Sequence, residues 1–314
     1  MESNNIPDRF PVIAVVGPTA TGKTSVSIRL AKRLGGEIIN LDSVQIYKGL
    51  DIGSAKPSRE EMSGIVHHLI DIRQPWEPMD AASFIRLASR RIELLLKQGK
   101  IPVLVGGTGF YLKSLEQGLS VLPGAIPAFR KYLKEVIRQK GHKGVYSLLK
   151  SMDPKRVENI HPKDTYRLTR AFEIYLSHGP KRDETQEQGK KIGGFIERGI
   201  RIFKIGLMME RSALYRLIDR RVDEMIEKGF IKEVSRLLEQ GLDPRLKSLQ
   251  SIGYRHIISY LLKESGLSQA IFEMKRDTRR YAKRQITWFK KDPEIRWFHP
   301  KRLLESEDIW KAVN

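Results

Sequence analysis

Apolar positions first cluster at 11–16, Pro-Val-Ile-Ala-Val-Val, a short β-branched run closed by Gly17 that predicts a buried strand. From Ser25 to Leu34 the spacing turns helical: Val26, Ile28, Leu30, Ala31 and Leu34 recur until Gly35-Gly36 ends the pattern. Glu37–Leu41 predicts a second strand that runs into Asp42, and His68–Ile72 a third. Asp80 is placed to cap a helix from Ala81 to Gln98, with Phe84, Leu87, Ile92, Leu95 and Leu96 near one face and Gly99 at its end. Ile101–Val105 is apolar throughout and runs into Gly106-Gly107. Such strands are buried on both faces, and their alternation with helices predicts an α/β fold with a parallel sheet covered on both sides.

The pattern changes near Pro123. Residues 123–200 are polar and helical, with no strand-like run, and two glycine- and charge-rich stretches interrupt them. One lies around Gly141; the other, 178–194, reads as a mobile loop. A strand returns at Ile202–Met208, and helix follows to about Lys291. The expected architecture is a P-loop core, residues 1–121 and 202–314, interrupted by an all-helical insertion domain, residues 122–201.

Composition removes several classes. With 314 residues, 40% of them hydrophobic, the chain can bury a core and is not a disordered type. No apolar run reaches the ~18 residues of a membrane span, and the start, MESNNIPDRF, lacks the regions of a secretory signal. The absence of cysteine excludes disulfides, thiolate zinc sites and cysteine nucleophiles, and fits a cytoplasmic setting. The formal charge is +20, unevenly spread: 15 basic against 12 acidic residues over 1–120, but 42 against 25 over 121–314. A basic excess confined to one part of a chain points to a polyanion, nucleic acid above all, rather than to a merely lysine-rich surface.

Candidate chemistry begins at residues 17–24: Gly17, Pro18, Thr19, Ala20, Thr21, Gly22, Lys23 and Thr24. They match G-x-x-x-x-G-K-[ST] and lie between a predicted strand and a predicted helix, as a phosphate loop requires. The glycines let consecutive N–H groups curl inward, and the helix N-terminus favours an anion. Lys23 adds a point charge, and the Thr24 hydroxyl can ligate Mg²⁺. A nucleotide-hydrolysing P-loop protein usually carries a metal-binding Asp at the end of an apolar strand. Ile101–Val105 instead enters Gly-Gly-Thr-Gly, and the acid is Asp42, after the second strand. That arrangement suits a diphosphate cradle with a separate acid/base group. Asp42 can equally cap a turn, Thr108 can make a local turn bond, and the adjacent His67 and His68 face opposite ways on a strand, against a shared metal.

Gly36–Pro57, containing DSVQIYKGLDIGSAKP, is followed by HHLIDI at 67–72, GGTGFYL at 106–112, IGYR at 252–255 and TRRYAKRQITWF at 278–289. This ordered set, spanning about residues 12 to 290, resembles the tRNA dimethylallyltransferase (tRNA isopentenyltransferase) family, bacterial type. The resemblance implies transfer of a dimethylallyl group from dimethylallyl diphosphate to N6 of adenine 37 in the anticodon stem-loop of tRNA; Mg²⁺ is the cofactor expected from the Thr24 hydroxyl of the phosphate loop. Thr21 stands where the family more often has Ser. Arg221 falls on a family arginine and joins residues 17–24 as a diphosphate ligand; Leu217 replaces another arginine of many members.

The implied roles follow from the chemistry. An exocyclic adenine amine is a poor nucleophile, so Lys23 and a Thr24-bound Mg²⁺ would assist the leaving diphosphate while Asp42 accepts the N6 proton and Thr108 touches the diphosphate or the base. The adenine must leave its stack, so contacts to tRNA are expected from Asp42, Ser43, Val44 and Gln45 beside the target. Further contacts are expected from Arg130, Tyr166, Arg167, Leu168, Thr169 and Arg170 in the insertion, and from Gly253, Tyr254 and Arg255. In the basic-aromatic tract 276–291, Lys283, Arg284, Gln285 and Trp288 are expected to reach tRNA, with the aromatics Trp288 and Phe289 mostly buried. A monomer with no membrane contact is expected. The rival readings are a small-molecule adenylate prenyltransferase or P-loop kinase, and a non-catalytic RNA-binding protein whose loop senses nucleotide.

Overall fold

Eight strands occur among the residues that the structure, a computed structural model, describes: 12–120, 124–180 and 191–305. In chain order they are β1 (Val12–Val16), β2 (Glu37–Asn40), β3 (His67–His68), β4 (Pro102–Gly106), β5 (Leu119–Ser120), β6 (Lys191–Ile192), β7 (Ile202–Leu207) and β8 (Arg296–Phe298). Six of them form one sheet in the order β3-β2-β4-β1-β7-β8, and every pairing in it is parallel. Ile13 is level with Val103 of β4 on one side and with Phe203 of β7 on the other.

Burial explains the layers. Ile13, Val15, Val103, Val105 and Ile205 share a core with Val26, Ile28, Leu30 and Ala31 of the helix Lys23–Leu34, which covers one face. The alternate residues Val12, Ala14 and Leu104 are also fully buried, so the other face is covered too. The helix Ala81–Lys97 lies there, capped by the Asp80 carboxylate, which accepts from Ser83 N at 2.7 Å. Its buried face runs through Phe84, Ile85, Ala88, Ile92 and Leu95, whereas Leu87 and Leu96 are only half-buried. No described helix is long and apolar enough to cross a membrane.

The structure departs from the sequence expectations at the sheet edges. The expected strand His68–Ile72 contracts to His67–His68, because Leu69 (φ 63°) and Asp71 (φ 53°) adopt left-handed conformations and turn the chain away. The last strand, β8, has three residues, too few for an alternating pattern to show. Its approach is tied down by Lys204 of β7, buried within the sheet, which pairs with Asp292 at 2.7 Å and Glu294 at 2.8 Å as well as with Glu116 at 2.7 Å.

The chain divides into two compact units, one running up to Gly118 and again from Gly193, the other Leu119–Ile192. The inserted unit therefore ends before the expected 201. Gly194 N and Phe195 N donate to Leu115 O, and Phe195 is fully buried in the first unit. The inserted unit is also not wholly helical, since β5 and β6 pair antiparallel. Most of the stretch expected as a mobile loop, 181–190, lies outside the described residues. The unit's helices are Pro127–Met152, broken at Gly141 (φ 70°), Pro154–Val157 and Thr165–His178, packed through Leu133, Val145, Leu149, Leu168 and Phe172.

Candidate functional site

Strands β2, β4 and β1 are neighbours, so the loops that leave their C-terminal ends gather on one edge of the sheet, where parallel α/β sheets bind ligands. After β1 comes the loop 17–24. Ala20 (φ 65°) and Gly22 (φ 77°) are left-handed, the alternation that turns successive N–H groups inward. A Cβ at position 22 would meet no atom, so glycine is favoured there by its φ alone. Gly22 caps the helix Lys23–Leu34 with no side-chain bond, leaving the first-turn amides to an incoming anion. Pro18 O holds the loop together by accepting from Thr21 Oγ1 at 2.8 Å and Lys23 Nζ at 2.7 Å. Thr21 is thus a buried brace of the cradle. Burial, aided by the Arg221 charge and opposed by Asp42, pulls the Lys23 ammonium down to about 7.

Asp42 follows β2. Its Oδ1 accepts from Val44 N at 2.7 Å and Gln45 N at 3.2 Å, so the turn-capping role is real. Its Oδ2 makes no hydrogen bond to a described residue and remains able to take a proton. Gln45 Nε2 donates to Ser54 O at 3.0 Å and Ala55 O at 3.1 Å. The amide group expected to read a base edge therefore fastens the loop 53–55, and a change at Gln45 would also release that loop.

A residue missed in the sequence secures the same loop. Glu233, 5% exposed in the helix Phe230–Glu239, accepts from Ile52 N at 2.7 Å and from Asp51 N and Gly53 N at 3.3 Å. Tyr254 donates its hydroxyl to Glu233 at 2.6 Å. Glu233→Ala is expected to cost about 2–4 kcal/mol, because each buried donor left unmet costs about 1–3 kcal/mol. Glu233→Gln, which keeps a carbonyl oxygen, should cost less. Urea midpoints measure both, and an unchanged midpoint for Glu233→Ala would mean that the clasp carries no stability.

After β4, Gly107 O accepts from Gln285 Nε2 at 3.0 Å, while Gln285 Oε1 accepts from Thr19 N at 2.9 Å. Gln285 thereby clasps the phosphate loop to the Gly-Gly-Thr-Gly turn. The Thr108 hydroxyl is buried and makes no bond within ordinary hydrogen-bond distance; the Tyr281 hydroxyl faces it, close enough to be influenced by it. Burial and the Asp42 charge push Tyr281 up to about 12, so it stays protonated as a donor.

The loops after β1 and β2, with two helices, Arg211–Glu227 and Leu267–Phe289, line a cavity of about 240 Å³. Thr19, Ala20, Asp42 and Arg221 line its polar end; Ile218, Val222, Met225, Ile252 and Met274 supply apolar wall. Arg221 points its guanidinium at Thr19 Oγ1, 3.4 Å away. Leu217 is 41% exposed and does not line the cavity.

Ser43 and Val44 also line the cavity, beside Asp42. Several residues expected at RNA sit elsewhere. Gln285 is 5% exposed with both ends of its amide engaged, Tyr254 is fully buried on Glu233, and Leu168 is fully buried in the core of the inserted unit. Gly253 is buried at the start of the helix Tyr254–Leu261, and Thr169 Oγ1 bonds back to Thr165 O at 2.7 Å. Arg130 and Arg170 both bind the buried Glu173, at 2.7 and 3.2 Å, and with the Ile126 amide they hold its carboxyl at about 2 despite burial. Arg255 pairs with Asp277 at 2.6 Å. The exposed members are Tyr166, Arg167, Lys283 and Arg284, together with Trp288, 38% exposed against the expectation of burial.

Among the described residues no group of three His, Cys, Asp or Glu side chains is placed to hold a metal. His67 Nδ1 donates to Ile65 O at 2.9 Å, and His68 bonds Glu37 at 2.5 Å. The Thr24 hydroxyl has no partner among the described residues. One free hydroxyl beside an anion cradle fits Mg²⁺, which takes few protein ligands and completes its shell with phosphate oxygens and water.

A family model described as IPP transferase matches residues 45–292. The chain is 44% identical over 289 residues to tRNA dimethylallyltransferase 2 of Syntrophus aciditrophicus, with 92% of each chain covered. It is 42% identical over 294 residues to the tRNA dimethylallyltransferase of Geobacter sulfurreducens, covering 94% of this chain and 93% of that one. Among solved structures, the full-length tRNA isopentenylpyrophosphate transferase of Bacillus halodurans superposes with a TM-score of 0.70 at 38% identity over 96% of each chain. A eukaryotic dimethylallyltransferase captured acting on tRNA gives 0.76 at 28% identity, over 96% of this chain and 77% of that one.

Proposed function

We infer the reaction from one premise: the chain belongs to the IPP transferase family. It is an enzyme that transfers a dimethylallyl group to tRNA. We propose that the donor is dimethylallyl diphosphate and the acceptor N6 of adenine 37. The observation that carries this is the single cavity in which Asp42 shares walls with the phosphate loop and with an apolar pocket.

The amine lone pair forms the new N–C bond at the allylic carbon as the C–O bond breaks. The bonding pair leaves with diphosphate, and the N6 proton passes to Asp42 Oδ2. The first-turn amides, Lys23 and Arg221 receive the charge that grows on the leaving group. A Mg²⁺ ion held by Thr24 would neutralise more of it. The apolar walls exclude water, which would otherwise capture the allylic carbon. We further propose that the enzyme acts as a monomer in the cytoplasm.

Transfer of label from dimethylallyl diphosphate tests the reading, with tRNA, AMP and ATP offered together. Label in tRNA alone is expected, on an adenosine next to the anticodon after digestion to nucleosides. Label in AMP would favour the small-acceptor rival. RNA binding without transfer would favour a nucleotide sensor.

The exposed cations of the inserted unit should act through the phosphate backbone. Arg167→Glu is expected to flatten the dependence of log K on log[salt] by roughly 0.7–0.9 for each phosphate no longer neutralised. It should weaken many tRNAs alike, because such contacts position without specifying. Arg170→Glu is unsuited to this test, since it sets a carboxylate against the buried Glu173. An unchanged slope for Arg167→Glu would leave that face a solvated surface.

A further inference from the structure

Beside the catalytic mouth the first unit exposes two aromatic rings with no structural need to be there. Phe110 is the second residue of the helix Gly109–Gln117 and is 43% exposed; Trp288 is 38% exposed. Their neighbours are conventional core: Tyr111 stacks on Phe84 with centroids 3.9 Å apart, and Phe289 is buried. Phe110 and Trp288 meet edge to face, 6.5 Å apart at 77°, which fixes each ring against the other. The Cδ1–Nε1 edge of Trp288 also packs against Gly109, where a Cβ would come within 2.1 Å of its ring. The pair is therefore rigid although exposed.

Its position is what gives it meaning. Phe110 is two residues from Thr108, and Trp288 lies seven residues along one helical face from Tyr281, which lines the cavity. At 1.5 Å per residue that separation is about 10 Å, the reach of a neighbouring nucleotide rather than of the base inside the cavity. On the same helical face, one turn before Trp288, lies the exposed cation Arg284, 5.7 Å from the Tyr281 ring centre. Rigid aromatic faces flanked by cations are what a single-stranded nucleic acid stacks on, its phosphates on the charges and its bases on the rings.

We propose that Phe110 and Trp288 form a stacking platform for an unpaired base of the RNA substrate, that of a nucleotide next to the one whose base enters the cavity. The platform replaces the stacking that the loop loses when its neighbour is extruded. It recognises a base by its face, so it tolerates sequence. The proposal rests on the reading of the chain as an enzyme that modifies a base in an RNA loop.

The test is a double-mutant cycle between protein and RNA. Binding of an anticodon stem-loop is measured for the wild type, Phe110→Ala and Phe110→Tyr, with the intact RNA and with two RNAs made abasic on either side of the target adenine. Phe110→Ala is expected to weaken intact RNA by roughly 5- to 100-fold, the range for removing one base–aromatic stack. Phe110→Tyr should restore binding. One of the two abasic RNAs should weaken the wild type by a similar factor, and Phe110→Ala should then add little. In turnover the loss should fall on KM rather than kcat. The salt slope should not move, because no charge is removed. Unchanged binding by Phe110→Ala, additive losses with both abasic RNAs, or a flattened slope would each overturn the platform. Failure of the wild type to transfer label would instead overturn the proposed reaction, which this binding cycle does not measure.

Discussion

Asp42→Asn is expected to lower turnover by about 10²–10⁴-fold, the range for losing general-base help, while tRNA affinity stays within a few-fold. The choice of Asn matters because Asp42 has two duties. Its Oδ1 holds the amides of Val44 and Gln45, and an Asn carbonyl can keep both bonds. The turn is kept, while the negative charge and the ability to take a proton are lost together. Asp42→Ala loses the turn as well, so it should match Asn in turnover and bind RNA somewhat less well, since Ser43–Gln45 would no longer be held. Single-turnover transfer beside RNA binding separates the two duties. Near-normal turnover in Asp42→Asn would remove Asp42 as the proton acceptor.

Lys23→Ala is the second large effect. Loss of a positioned cation opposite a developing diphosphate should slow transfer by about 10²–10³-fold, comparable to removing one preorganised donor from an anion hole. The loop itself should survive, because Thr21 Oγ1 still bonds Pro18 O. Binding of RNA should be unaffected. The sign of the effect on stability follows from the lysine's position. Folded Lys23 titrates near 7, below its ordinary 10.5, so the folded state binds its proton less well than the unfolded chain does. Keeping it charged therefore opposes folding most below pH 7, and this opposition fades as pH rises toward 10.5. Lys23→Ala should not lower the melting temperature at neutral pH. Diphosphate binding should restore the charge and draw in a proton above about pH 7, so donor affinity should fall with rising pH by up to tenfold per unit. Calorimetry in buffers of different ionisation enthalpy reads that proton, and Lys23→Ala should abolish it. A wild-type enzyme that takes up no proton would place the Lys23 charge outside the diphosphate site.

The two variants act on one site, and the parts they rely on differ in how they arise. The phosphate loop, its brace Thr21 and the helix behind it lie within residues 17–34 and are set by local conformation. The clasps on that loop and its neighbours come from far along the chain: Gln285 on Thr19 and Gly107, Glu233 on residues 51–53.

By itself the sequence determined the contiguous pieces. The apolar runs became β1, β4 and β7, with Lys204 of β7 the one charged side chain among them, and the glycine-bounded loop after β1 curls as its motif predicts. Asp42 was legible as a strand-end acid, and the ordered motifs identified the family. Tertiary structure decided which polar side chains turn inward. Gln285, Tyr254 and Leu168 lie on helices whose periodicity marks a face but not what that face meets, and all three were expected at RNA. Gln285 and Tyr254 are buried because backbone groups and a carboxylate distant in sequence needed partners there, and Leu168 because Phe172 and Leu149 enclose it. The short edge strands β3 and β8 and the limit of the inserted unit at Ile192 were decided in the same way. A strand of two or three residues has no pattern of its own and exists only because a longer neighbour pairs with it, and Phe195 belongs to the first unit because Leu115 O accepts its amide. Local propensity can specify a loop, but the partner of a buried polar group is fixed only when the whole chain has closed around it.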